Sequence, residues 1–113
     1  MVDNRMELRW QRAAHRAVGD FLAAAAALGL PAITWTIAET GAVTGAVHGL
    51  GRTPEEQRTT VVAWARYFNL PVAERARQDG SVTLTVRFKT ETMVGGVIRA
   101  DIDPPMDDEV VAK

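Results

Sequence analysis

With 113 residues, 14 acidic side chains against 13 lysines and arginines, and a formal net charge of -1, the chain has no overall charge excess to hold nucleic acid or an anionic membrane. Electrostatic binding would have to come from a local patch. The 47% hydrophobic and 24% charged content argues against disordered and fibrous classes, and zero cysteines remove disulfides, thiolate metal sites and a cysteine nucleophile. That usage fits a reducing compartment, with the cytoplasm as default.

The first seven residues lack the basic start and unbroken apolar core of a secretory signal. The longest apolar run, residues 21–30, is far below the roughly 20 residues that span a bilayer. The expectation is a single α+β domain over residues 1–103, with residues 104–113 as an acidic, mobile tail.

Residues 6–28 read as a first helix. Trp10, Ala14, Ala17, Phe21, Ala24 and Leu28 recur in steps of four and three and form one stripe, Asp3 or Asn4 can cap the start, and Gly29 with Pro31 ends it. The alanines at 23–27 predict a tight helix-on-sheet contact. A strand at 32–39 points Ile33, Trp35 and Ile37 one way and Thr34 and Thr36 the other, and after a turn at Gly41 a second strand at 42–50 sets Val43, Gly45 and Val47 opposite Thr44, Ala46 and His48. Gly45 is expected to leave room for a bulky neighbour such as Trp35.

Thr53-Pro54-Glu55-Glu56 supplies an N-cap, a proline at the first helical position and a capping-box glutamate, so a second helix starts at Pro54. It buries Val61, Trp64, Ala65 and Phe68 and stops near Asn69 and Pro71. Residues 72–78 suit helix by composition, but Asp79-Gly80 signals a tight hairpin, which favours a charged edge strand. Val82, Leu84, Val86 and Phe88 then alternate with Thr83, Thr85, Arg87 and Lys89. In the last strand, 94–103, Ile98, Ala100 and Ile102 alternate with Arg99 and Asp101. The order αββ-α(β)ββ predicts two helices on one face of a four- or five-stranded antiparallel sheet, with the threonine-bearing face open.

The candidate sites divide by surface. Arg5, Arg9, Arg12 and Arg16 follow steps of four, three and four and line one side of the first helix, a row suited to phosphates, an acidic partner or the chain's own acidic tail. Thr34, Thr36, Thr44, His48, Thr83, Thr85, Arg87 and Arg99 share the open sheet face, a surface for a protein partner or a second copy. His15 and His48 have no second ligand at metal spacing, so no metal or cofactor is expected. Of the two, His48 is the better centre for a small ligand or enzyme site, although it lacks a nucleophile and an orienting carboxylate. Glu39, Asp101 and Asp103 are strand-end carboxylates whose convergence the spacing leaves open. Gly45, Gly49 and Gly51 precede a helix without the lysine of a phosphate loop, and Glu55 and Glu56 stand where an anion would lie.

Trp10, Trp35 and Trp64 all fall on inward stripes and read as core anchors. The favoured function is a non-enzymatic interaction or assembly module, with homodimerisation plausible. The alternatives are a nucleic-acid binder using the arginine row with Arg87 and Lys89, and a small enzyme or ligand binder at His48.

Overall fold

The structure, a computed structural model, describes residues 4–104. Helix α1 (Asn4–Leu28) leads into strands β1 (Thr34–Ile37) and β2 (Val43–Ala46). Helix α2 (Pro54–Phe68) leads into β3 (Ala73–Ala76), β4 (Val82–Lys89) and β5 (Gly95–Ile102). The five strands form one sheet in the order β1-β2-β5-β4-β3, so the expected α+β class and the edge strand at 72–78 both hold. The expected acidic tail lies, from residue 105 onward, outside the described residues.

One pairing departs from expectation. The sheet is mixed, because β2 and β5 run parallel, with Val43 opposite Gly96 and Ala46 opposite Arg99, while every other pair is antiparallel. The physical reason lies in the strands' own sequences. β3 is Ala-Glu-Arg-Ala, exposed along its whole length, and belongs at an edge where charge discourages further pairing. β5 buries Ile98, Ala100 and Ile102 and takes the centre, beside a strand that runs its own way because α2 has turned the chain round in between.

The start of α2 and the C-terminal ends of both helices match their sequence signals, while Asp3, one of the two caps expected for α1, lies outside the described residues. The Thr53 hydroxyl accepts from the Glu56 amide at 3.1 Å and the Glu56 carboxylate accepts from the Thr53 amide at 2.8 Å, completing the capping box of α2. Asn69 closes that helix in the left-handed region at φ 57°, and Gly29 closes α1 at φ 73°, with the Leu30 amide bonded back to the Ala25 carbonyl at 3.1 Å.

The three hairpin connections share one construction. In each, the first residue's amide donates to a carbonyl four residues on, and the fourth residue's amide donates back to the first residue's carbonyl. Ala38 pairs with Ala42 (2.9 Å), Arg77 with Ser81 (2.9 Å) and Thr90 with Val94 (2.9 Å). The fourth residue is left-handed every time, as Gly41, Gly80 and Met93. This is a three-residue loop closed by a left-handed residue, one residue longer than the two-residue turn that Asp79-Gly80 suggests.

The core lies between the helices and one face of the sheet. Ala14, Ala17, Val18 and Phe21 from α1 and Val61, Trp64 and Ala65 from α2 cover Val43, Leu84, Val86, Phe88, Ile98, Ala100 and Ile102. Aromatic rings fill the gap between the layers. Phe21 packs edge-on against Phe68 and Phe88 at 5.1 and 5.4 Å, Trp35 meets Trp64 edge-on at 5.3 Å, and Phe68 stacks on Phe88 at 4.5 Å. Gly45 leaves the expected room, since a Cβ there would sit 2.8 Å from Ile33 and 3.0 Å from the Trp35 ring.

Two further expectations are corrected. Trp10 is not a core anchor: it is 41% exposed, because α1 outruns the sheet at its N-terminal end and leaves the indole at the margin. The alanine run is not the tight contact either. Ala23, Ala26 and Ala27 face solvent, and the close packing falls on Ala14 and Ala17, over the middle of the helix.

Candidate functional site: the uncovered sheet face and its margins

The side chains that point away from the helices are set by strand register. Across the middle of the sheet, Thr34 lies opposite Ala46, Ala46 beside Arg99, Arg99 opposite Thr85 and Thr85 opposite Ala73. One row nearer the β1–β2 turn, Thr36, Thr44, Val97 and Arg87 follow in the same way. Toward the other end come Asp101, Thr83 and Arg75, and no helix covers any of these rows. Thr34, Thr36, Thr44, Thr83, Thr85, Arg87 and Arg99 are thus brought together on one open surface, while His48 sits just past the end of β2 and is exposed.

The charge on this face is lopsided. Arg75, Arg87, Lys89 and Arg99 project from its strands, with Arg77 immediately after β3. The carboxylates on the same side are Asp101, which acts as a hub, and Asp103 immediately after β5. Asp101 accepts from the Thr83 hydroxyl at 2.8 Å, from Arg77 at 3.2 Å and from the Arg99 Nε at 3.3 Å. The Thr83 hydrogen bond, helped by Arg99, holds its carboxyl below the usual aspartate range against the opposing effect of partial burial. Arg75, Arg87 and Lys89 have no ion-pair partner among the described residues.

The other candidates disperse. Glu39 stands in the β1–β2 turn, whereas Asp101 lies five residues along β5 from Gly96, which pairs with the start of β2. At about 3.3 Å per residue that separates them by roughly 17 Å along the strand, so the three strand-end carboxylates do not converge. His48 borders a small hollow of about 170 Å³ with Thr44, Arg99 and Asp101, and no group of three or more His, Asp or Glu residues suited to a metal occurs among the described residues. The glycines before α2 do not open an anion site. Arg52 spends its guanidinium on the carbonyls of His48 (3.1 Å) and Ala32 (2.6 Å), and Glu56 already caps the helix.

The arginine row of α1 is exposed on the side of the molecule opposite the sheet face. Pro104 leaves from the end of the sheet remote from Arg5 and Arg9, so the chain beyond it starts far from that row. Beside the row, Met6, Trp10 and Met93 expose apolar surface, and Trp10 and Met93 line a hollow of about 550 Å³. Met93 carried no periodic signal. Its only sequence trace is the turn construction it shares with Gly41 and Gly80. No described helix is long and apolar enough to cross a membrane. Set against known proteins, the chain matches no family model, and no curated protein and no solved structure is significantly similar to it.

Proposed function

We propose that this chain is a non-enzymatic interaction module whose working surface is the uncovered face of its sheet, and that its partner is an acidic protein segment. The observation that carries the reading is the separation of charge. A chain of net charge -1 presents five basic side chains on one open face against two carboxylates, Asp101 and Asp103, and three of the five have no ion-pair partner among the described residues. A cationic surface of that kind speeds encounter with an anionic partner and fixes its register. The threonine hydroxyls between the arginines add hydrogen-bonding capacity without an aromatic platform on which bases would stack, which favours protein over single-stranded nucleic acid.

The test titrates the protein with a labelled oligoglutamate peptide and, in parallel, a labelled single-stranded oligonucleotide, each across a salt series. Peptide binding is expected to weaken with salt and to fall by about tenfold or more when Arg75→Glu and Arg87→Glu are combined. Tighter, strongly salt-dependent binding of the oligonucleotide through the same two arginines would move the function to nucleic acid. Peptide binding indifferent to that double charge reversal would remove the sheet face as the working surface.

A further inference from the structure

The core-facing stripe of α1 does not stop where the sheet stops. Ala14, Ala17 and Phe21 are buried on it, and one and two turns earlier the same side of the helix carries Trp10 and Met6, each 41% exposed. None of the described residues before Ala14 is buried. Trp10 backs onto Gly41, where an added Cβ would lie 2.8 Å from the Trp10 Cβ, which sets it level with the end of the sheet. Residues 4–9 therefore run past that end by about 9 Å at ~1.5 Å per residue.

Met93 is the second half of the feature. It stands 69% exposed at the tip of the β4–β5 turn, with φ 69°, where a side chain is strained and glycine is the ordinary choice. The hollow lined by Trp10 and Met93 adjoins, through Ala13 and Thr92, a second of about 610 Å³ that Phe21 and Phe68 help line. Tryptophan and methionine are the side chains interfaces favour as buried anchors. Here both are held out to water around one concave surface.

Charge identifies the occupant. The only charged residue lining the first hollow is Arg87. Arg9 and Arg16 lie about 100–120° round the helix from Trp10, and neither has an ion-pair partner among the described residues. Arg16 and Lys89 are balanced at the second hollow by Asp20 and Glu91, and Glu7 lies about 60° round the helix from Trp10 on the other flank, so the cationic excess is confined to the side of α1 that carries Arg9 and Arg16. We propose that this overhang is a docking groove for an amphipathic helix of a protein partner. The apolar stripe of that helix meets Met6, Trp10 and Met93, and its acidic flank meets Arg9 and Arg16. The hollow shares Thr44, Arg87 and Val97 with the margin of the open sheet face, whereas Met6, Arg9, Trp10 and Arg16 stand on the helix, off that face, and Arg75 takes no part in the groove.

The probe is a synthetic helical peptide with a leucine stripe flanked by glutamates, titrated against the full chain by anisotropy and by the blue shift of Trp10 emission. Binding is expected, weaker by about tenfold or more in Trp10→Ala, in Met93→Gly and in the pair Arg9→Glu with Arg16→Glu, and unchanged in Arg75→Glu. A counterpart peptide flanked by lysines should bind at least about tenfold more weakly. Met93→Gly removes backbone strain and is expected to keep the fold, which a thermal melt verifies. Failure of the glutamate peptide to bind, equal binding of the lysine peptide, or full affinity in a folded Met93→Gly protein would each overturn the groove. A dimer in sedimentation that Trp10→Ala converts to monomer would also overturn it, by giving the surface to a second copy.

Discussion

Met93 fills, in the third hairpin, the place that Gly41 and Gly80 fill in the first two. A side chain in the left-handed region costs about 1 kcal/mol or more, partly offset because glycine loses more freedom on folding. Met93→Gly should therefore raise stability by up to about 1 kcal/mol, read as a higher urea midpoint at unchanged slope. A lower midpoint would mean that Met93 packs usefully in the isolated protein. Together with the expected loss of peptide binding, the variant would trade affinity for stability, as strained binding residues do. Other single residues show why the site was only partly legible. The periodicity that places Trp10 on the inward stripe says nothing about where the sheet beneath it ends, so an exposed indole reads as a core one. Gln57 is hidden for a related reason. It is buried, and its side chain donates to the carbonyls of Val47 (3.2 Å) and Asp101 (3.1 Å), tying the ends of β2 and β5 together. A glutamine on a helix face gives no sign that its partners lie 10 and 44 residues away.

Local signals serve best for the elements whose stabilising contacts are themselves local. The start of α2 is written in four consecutive residues, with Thr53 and Glu56 making the reciprocal contacts of the capping box and Pro54 at the first helical position. Thr53→Ala removes one half of the capping box and leaves the Glu56 amide without its acceptor, so it should cost about 1 kcal/mol. Denaturant melts would register this, and a change near zero would show that water replaces the cap fully. β4 was equally legible, because Val82, Leu84, Val86 and Phe88 alternate without interruption. The β2–β5 seam was not. Which strand of the second half joins the first depends on comparing the burial that each strand offers, and only the exposed charges of β3 hinted that it would take the edge. The ion pair between Arg58 and Glu74, at 2.7 Å with both side chains about half exposed, links α2 to that edge. An exposed pair of this kind contributes about 0–1 kcal/mol, so it guides the placement of β3 more than it secures it.

For the molecule as a whole, three carboxyls are held below their ordinary pKa values. Glu56 is lowered by the Thr53 amide, Asp79 by the Ser81 hydroxyl, and Asp101 by the Thr83 hydroxyl. A carboxyl with a depressed folded pKa binds fewer protons folded than unfolded. Its contribution is therefore present above the unfolded pKa and is lost as pH falls through the folded one. Stability should be flat near neutrality and decline below about pH 4. The acid-range slope should shrink in Asp101→Asn, measured by thermal melts over a pH series. An undiminished slope in that variant would exclude Asp101 as a contributor.

The parallel seam also gives the molecule two unlike poles. Because β2 and β5 start together and finish together, the β1–β2 and β4–β5 turns stand side by side at one pole and frame Trp10 and Met93. Pro104 departs from the other, a full β5 away, about 26 Å at ~3.3 Å per residue. A reporter or tether joined after Pro104 would hang from the far pole and leave the cleft beside the two turns unobstructed. A graft at Asn4 would be planted at its mouth.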